Sequence, residues 1–332
     1  MPAVMITPEA LIAVRGPWIP MLEEAGFTIQ HPDDTTFTRG LCSPAETIRV
    51  LSNVDAVIAG GEYLTPEVIA ALPRLQVIAR SGVGYDRVNV SAATKHGIPV
   101  TITPTANHES VAETAFALVF AIAKGIVTND ACVRSGQWAK NQTQPIRGKI
   151  LGIFGLGRIG RSTAIRGRAM GMTVLATETY PDKQFVAQHG IELVDFDALL
   201  SRSDYVSIHC PLNAETAGLF NHAVFQKMKP GSVLINTARG GMVVEADLMD
   251  ALKSGHLSGA GLDVFEQEPA TSDNPLFQLD NIVVSPHVGG GDKLSQENMG
   301  IEAADCVIKL SRNQWPAGAV VNDELRQSWK WK

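Results

Sequence analysis

Three glycines, Gly155, Gly157 and Gly160, stand in the order G-x-G-x-x-G. They follow the apolar run Lys149-Ile150-Leu151-Gly152-Ile153-Phe154 and head a helix-compatible stretch from Arg158 to about Met170, which Gly171 stops. Residues of this type and spacing can hold a pyrophosphate. Gly155 lets the chain reverse, Gly157 removes a side chain that would keep the backbone off the phosphates, and Gly160 lets helix and strand pack closely. The helix N-terminus, with its unpaired N–H groups and partial positive charge, then faces the anion. Glycine clusters also make ordinary turns, so the pattern alone leaves both readings open. A second apolar strand at 173–177 narrows them, because it ends at Glu178, close to the offset of about 20 residues at which an acid binds the adenine ribose. That carboxylate accepts from a ribose 2′-hydroxyl and repels a 2′-phosphate, and no arginine follows closely. The pattern therefore favours NAD over NADP.

A second set of candidates falls at or just past the ends of later β-type runs: Arg239, Asp263, Glu268 and His287. Reduction of a carbonyl needs a proton donor for the forming alkoxide and a cation to fix a neighbouring carboxylate. His287 suits the first role, since imidazole titrates near neutrality and a carboxylate partner, here Glu268, can raise its pKa. Arg239 suits the second, having a planar fork matched to a carboxylate. Asp263 reads either as a structural strand-end acid or as a ligand of the nicotinamide amide. Taken singly, each has a plain explanation as a loop histidine, a solvated glutamate before Pro269 or a surface ion pair. Taken together, downstream of a nucleotide turn, they make a catalytic set. The loop Ser81-Gly82-Val83-Gly84-Tyr85-Asp86, directly after a strand, can aim backbone N–H groups at a small carboxylate, or can be a simple turn into a helix.

These residues are positioned by alternating elements. Residues 3–6, 27–30, 55–59, 75–79 and 99–102 read as short strands, with helices at 44–51 and 66–72. Ser110-Val111-Ala112-Glu113 has a capping-box pattern ahead of an apolar helix over 114–127, which is expected to lead from a first unit into a second, and 136–148 reads as a loop. After Glu178 come helices at 183–188, 197–202, 221–228 and 245–253, and strands at 192–194, 205–209, 232–237, 259–264 and 281–285. A final helix spans 295–314, and the tail Trp329-Lys330-Trp331-Lys332 reads as a loose end. Repetition of this kind implies parallel doubly wound sheets with ligands at the carboxyl ends of the strands.

With 332 residues the chain exceeds one typical core, so two domains are expected. A net charge of −6 without runs of Lys or Arg argues against a nucleic-acid groove. The longest apolar run, 115–123, is too short to span a bilayer, and the first residues lack a signal-peptide pattern. Cys42, Cys132, Cys210 and Cys306 form no C-x-x-C pair, so they read as buried thiols in a reducing cytoplasm, with neither a zinc site nor a disulfide framework.

The strings at 81–86 and 155–160, His209-Cys210-Pro211-Leu212, Asn236-Thr237-Ala238-Arg239-Gly240, Asp263-Val264-Phe265-Glu266-Gln267-Glu268-Pro269 and Ser285-Pro286-His287-Val288-Gly289-Gly290 resemble the D-2-hydroxyacid dehydrogenase family over nearly the whole chain. The resemblance implies two Rossmann-like doubly wound α/β domains. A cofactor domain at 103–295 is inserted into a discontinuous, flavodoxin-like substrate domain at 1–102 and 296–332, and closure about the segments near 103 and 295 is expected because substrate and cofactor sit on different units and hydride transfer needs water excluded. The resemblance implies an NAD-dependent enzyme that interconverts a small D-2-hydroxy acid and its 2-oxo acid, in a homodimer formed through the helix after Ser110 and the cofactor domain. By position, Arg239 clamps substrate, Glu268 partners His287, and His287 is the general acid or base. Ser81 and the amides of Val83 and Gly84 take the substrate carboxylate. Arg158 and Ile159 meet the pyrophosphate and Glu178 the ribose. His209, Cys210, Pro211, Thr216, Thr237, Ala238, Gly289 and Gly290 line the cofactor, Asp263 binds the nicotinamide amide, and Val111 packs near the ring.

Departures from the family pattern sharpen the expectation. Glu178 stands where NAD-dependent members usually have Asp, which keeps the carboxylate with one more methylene, and Gly291-Asp292 departs from the common small-residue pattern. Glu268 stands where formate dehydrogenases carry Gln. The loop Ala59-Gly60-Gly61-Glu62-Tyr63 lacks the arginine of phosphate-binding relatives and places Glu62 where it would repel a phosphate, although Arg80 offers a cation from elsewhere. The expectation is a glyoxylate- or hydroxypyruvate-type acid, with D-3-phosphoglycerate as the alternative and an NADH-sensing, corepressor-like binding protein as the reading from another class.

Overall fold

In a computed structural model, which describes residues 1–39 and 42–332, the chain divides into two compact units, Met1–Asn107 with Gly291–Lys332, and His108–Gly290. Each is built on one wholly parallel sheet, the α/β architecture expected from the alternation of elements.

The first unit contains β1 (Ala3–Ile6), β2 (Thr28–Gln30), β3 (Ala56–Ala59), β4 (Val77–Arg80) and β5 (Val100–Thr101), in the order β2-β1-β3-β4-β5. This is the flavodoxin-like order. β1, β3 and most of β4 are buried on both faces, which is why they read as unbroken apolar runs rather than alternating ones. The C-terminal helix Lys293–Ser311 completes the unit, and at Gly300 a Cβ would come within 2.4 Å of the Trp18 ring. The tail is not loose. Trp331 meets Phe27 edge-on at 5.8 Å, Trp329 meets Trp315 at 6.2 Å, and both join the core cluster around Trp18 and Leu22.

The second unit contains β6 (Ile150–Phe154), β7 (Thr173–Thr177), β8 (Glu192–Leu193), β9 (Tyr205–Ile208), β10 (Ser232–Asn236), β11 (Leu257–Leu262) and β12 (Ile282–Val284), in the order β12-β11-β10-β9-β6-β7-β8. Read from β8, this is the dinucleotide-binding order with a seventh strand added, and its direction reverses between β6 and β9. The register matters more than the order. Thr177, Phe154, Ile208, Asn236, Leu262 and Val284 are paired neighbours across the sheet, so the residues one step on, Glu178, Gly155, His209, Thr237, Asp263 and Ser285, leave its carboxyl edge in one row. Beneath this edge Phe220 is fully buried against Phe154 and Phe196, with ring centroids at 5.7 and 5.8 Å. Pairs of this geometry add about 0.5–1.5 kcal/mol each beyond simple burial.

The long helix differs from expectation. It runs His108–Lys124, lies wholly in the second unit, and starts ahead of Ser110. The Ser110 hydroxyl donates to the carbonyl of Gly289 at 2.8 Å, and Glu113 pairs with Arg166, so neither side chain serves as a capping box. Gly125, at φ +56°, breaks the helix, and Ile126–Arg134 continues at 58° to it. Among the described residues no single helix is long and apolar enough to cross a membrane. All four cysteines are free; Cys306 is buried, whereas Cys42, Cys132 and Cys210 are only partly so.

Candidate active site

The glycine turn is built by close approach. Gly155, at φ +98°, lies against the exit of the neighbouring strand, where a Cβ would fall 2.8 Å from the Cys210 nitrogen. At Gly160 a Cβ would strike the Gly155 carbonyl at 2.0 Å. Gly157 is different, for a Cβ there would meet nothing within 4 Å. It caps the helix Arg158–Ala169 without a side chain of its own, so the first amides of that helix face open space. On the same row the Thr237 hydroxyl is buried with no hydrogen-bond partner among the described residues. A dinucleotide fits these features: its pyrophosphate takes the helix amides, and an orphaned hydroxyl remains for a polar atom of the ligand.

Glu178 is held rather than free. Its Oε2 accepts from the Leu156 amide at 2.7 Å and its Oε1 from the Tyr180 amide at 3.0 Å, which leaves lone pairs for a ribose hydroxyl. His209 and Cys210 follow Gly155 around the edge. Burial pushes the His209 imidazole down to about 3 and the Cys210 thiol up to about 12, so both are neutral at pH 7. Thr216 folds back, its hydroxyl donating to the Pro211 carbonyl at 2.8 Å.

The depressed His209 pKa has a measurable consequence. Unfolding frees an imidazole of ordinary pKa near 6.5, so stability present above that value is lost as pH falls from about 6.5 towards 3. Between pH 7 and pH 5 the wild type is expected to lose about 1–2 kcal/mol more than His209→Gln in urea denaturation. Equal losses would place the ring in water.

Asp263 organises the loop that carries the histidine. It is 1% exposed, and its carboxylate accepts from the Ser285 hydroxyl at 2.6 Å and from the amides of Val288 and Gly289 at 3.0 and 2.8 Å. The His287 amide donates to the Asp263 carbonyl at 2.8 Å. These bonds hold His287 at φ +54°, a left-handed conformation that costs a non-glycine residue about 1–3 kcal/mol and persists only where its surroundings impose it. Gly289 is required beneath, since a Cβ there would come within 2.7 Å of Asp263 Oδ2. From the other side the hydroxyls of Ser110 and Thr114, flanking buried Val111, donate to the Gly289 carbonyl.

The result is a dyad. Nδ1 of His287 lies 2.7 Å from Oε2 of Glu268, with side-chain exposures of 43% and 19%. The other oxygen of Glu268 accepts from the Phe265 amide at 3.1 Å, so the carboxylate has a fixed orientation. Because Nδ1–H donates to Glu268, Nε2 is the nitrogen left to exchange a proton with a substrate oxygen. Arg239 leaves the end of β10 half-buried, its Nη1 donating to the Ala238 carbonyl at 2.6 Å. Its loop is braced by Asn236, which donates to the Arg239 carbonyl and accepts from the Ala238 amide. Gly240 makes the junction possible, for a Cβ there would fall 1.9 Å from the Phe265 carbonyl carbon. The Arg239 loop thus rests on the loop that holds Glu268.

One edge of the second sheet therefore gathers Gly155–Gly160, Glu178, His209, Cys210, Thr237–Arg239, Asp263, Glu268 and His287–Gly290. Ser81, Val83 and Gly84 belong to the first unit, where the same kind of loop follows β4. Gly82 is fixed there by Thr103, which accepts from its amide and donates to its carbonyl, and Arg80 donates to the Gly84 carbonyl at 3.0 Å. No acceptor among the described residues takes the amides of Val83 or Gly84. Glu62, expected to repel a phosphate, is turned into the interior. It is 2% exposed, accepts from Thr7 and from the Gly60 amide, and burial raises its pKa. Instead, Arg87 lies against that loop, donating to the Gly61 carbonyl and stacking 4.9 Å from the Tyr63 ring centroid. Among the described residues no cluster of His, Cys, Asp or Glu could hold a metal ion.

Residues 116–289 match the family described as D-isomer specific 2-hydroxyacid dehydrogenase, NAD binding domain. The chain is 44% identical over 309 residues to D-3-phosphoglycerate dehydrogenase of Mycobacterium leprae, covering 90% of this chain and 58% of that protein. It is 39% identical over 285 residues to glyoxylate reductase of Thermococcus litoralis, covering 83% of this chain and 86% of that one. The chain spans about half the length of the phosphoglycerate dehydrogenases it matches. A solved glyoxylate reductase from Paecilomyes thermophila superposes with a TM-score of 0.83 at 27% identity, covering 97% of this chain and 99% of that one. A turn shaped for a dinucleotide, a histidine paired with a glutamate on the same sheet edge, and these likenesses agree, and the chain belongs to the D-isomer specific 2-hydroxyacid dehydrogenase family.

Proposed function

We propose that the protein interconverts a small D-2-hydroxy acid and its 2-oxo acid with NAD as the redox partner. The observation that carries this reading is the 2.7 Å Glu268–His287 pair on the sheet edge that holds the glycine turn. NAD bound at Gly155–Gly160 supplies or accepts the hydride. Arg239 holds the substrate carboxylate and draws electron density from the carbonyl oxygen. Nε2–H of His287 gives its proton to that oxygen as it becomes an alkoxide, and Glu268 stabilises the imidazolium before transfer. In oxidation the neutral imidazole takes the proton back. Asp263, with three donors already on its carboxylate, keeps His287 in place and offers a remaining lone pair to the nicotinamide amide. Val83 and Gly84 are assigned to the substrate carboxylate on their untaken amides.

For the acid itself, a glyoxylate- or hydroxypyruvate-sized substrate is the first reading, supported by the likeness to glyoxylate reductase and by a β3 loop with no cation of its own. D-3-phosphoglycerate is the second, favoured by the 44% identity to that dehydrogenase and by Arg87 lying on Gly61 and Tyr63. NADH oxidation by purified protein should appear with glyoxylate or hydroxypyruvate and be weaker with 3-phosphohydroxypyruvate. The reverse order selects the second reading. NADH binding without turnover on any 2-oxo acid, together with a protein partner whose affinity follows NADH, would select a sensing role.

A homodimer is part of the same proposal. The helix Ile126–Arg134 buries no residue, and Ile126, Val127, Val133 and Trp138 are 54–78% exposed, an apolar surface that a second copy would cover. Light scattering is expected to give twice the chain mass for wild type and a smaller species for Val133→Glu/Trp138→Glu; a monomeric wild type removes the dimer. A reducing cytoplasm suits the four free thiols.

A further inference from the structure

The glycine turn carries a cation for which the proposed chemistry has no use. Arg161 lies in the first turns of the helix Arg158–Ala169, and its side chain is held at three points. Nε donates to the Leu156 carbonyl at 3.2 Å, Nη1 pairs with Oδ2 of Asp182 at 3.1 Å, and the guanidinium carbon lies 5.0 Å from the Phe185 ring centroid. The amide of the same Leu156 donates to Glu178 at 2.7 Å. Arg161 and Glu178 therefore engage the two polar groups of one residue, and the guanidinium belongs to the neighbourhood of the carboxylate expected to meet the adenine ribose.

Asp182 is placed by the backbone, not by chance rotamers. Its Oδ1 accepts from the amides of Gln184 and Phe185, both at 3.1 Å, and so caps the helix Lys183–His189, while Oδ2 is turned to Arg161. The Phe185 amide bond and the Arg161 charge hold this carboxyl below the usual range, so it is ionised at any working pH near neutrality. A planar guanidinium with donors on several edges is the side chain best matched to a phosphate, and here it is drawn towards a capping acid and an aromatic face.

Resting on the assignment of the glycine turn to NAD, we propose that Asp182 is a second determinant of NAD over NADP. Glu178 repels a 2′-phosphate directly, whereas Asp182 acts by keeping Arg161 occupied, so that the cation available on this side of the turn is withheld from that phosphate. The role is one of specificity and involves no reacting atom.

The test uses binding alone. Dissociation constants of 5′-AMP and adenosine 2′,5′-bisphosphate are measured by calorimetry on the full chain. Asp182→Asn keeps an oxygen that can cap the helix and removes the charge that holds Arg161. It should strengthen bisphosphate binding about fivefold while 5′-AMP changes less than twofold. Adding Arg161→Gln to that variant should abolish the gain, and Arg161→Gln alone should leave the wild-type ratio of the two affinities unchanged. An unchanged ratio in Asp182→Asn, or a gain that survives loss of Arg161, overturns the proposal and leaves the NAD assignment standing. A wild type that binds neither 5′-AMP nor NADH removes the assignment and the proposal together.

Discussion

His287→Ala is expected to lower kcat on the preferred 2-oxo acid by about 10²–10⁴-fold, while NADH binding stays within a few-fold of wild type. The size follows from what is lost. Without an imidazole, the forming alkoxide has no positioned donor, and Glu268, fixed by the Phe265 amide, loses its histidine partner. Glu268→Gln separates the two contributions. It preserves the shape and an acceptor for Nδ1–H but removes the charge that stabilises imidazolium, so it should lower the rate by less than His287→Ala does. Steady-state kinetics across pH 5–9, with NADH affinity followed by fluorescence, checks both variants. Full activity in His287→Ala would take the residue out of the mechanism.

Arg239→Ala should reduce kcat/KM by a factor of about 30 to several thousand, the cost of removing one member of a desolvated charge pair at about 2–5 kcal/mol. Most of the loss should appear as weaker carboxylate binding, seen as a raised KM and a raised inhibition constant for oxamate. Arg239→Lys is not expected to restore activity, since the fork is held by its bond to the Ala238 carbonyl and a point charge on a flexible stem cannot repeat that geometry. Comparable oxamate affinity in wild type and Arg239→Ala would move the clamp elsewhere.

The features legible in the chain were the local ones. The turn at Gly155–Gly160, the strand Thr173–Thr177 and the helix Glu245–Lys253 are set by glycine geometry and by short apolar periods that need no distant partner. Arg239, Glu268 and His287 stood out through their places after strands, and the register of β10, β11 and β12 explains why strand ends separated in sequence form one row. What escaped reading depends on contacts far apart in the chain. Ser110 reads as a cap, yet its hydroxyl is taken by Gly289, 179 residues away. Glu62 reads as an acid that would repel a phosphate, yet Thr7 and the Gly60 amide hold it in the interior. The tail tryptophans find Phe27 and Trp315, which no local pattern announces. The left-handed backbone of His287 is of the same kind, for nothing in Ser285-Pro286-His287 shows that Asp263 holds it there. The one local hint for that loop was the glycine at 289, where a side chain would meet the Asp263 carboxylate.

Incubation of the protein with a 2-oxo acid whose product is chiral at C2, such as hydroxypyruvate, and NADH carrying deuterium at both C4 positions, followed by NMR and chiral chromatography of the product, tests the account most directly. Label on C2 of a hydroxy acid of D configuration, formed by wild type and absent with His287→Ala, is the predicted result. A product with no deuterium at C2, or with the L configuration, would contradict it.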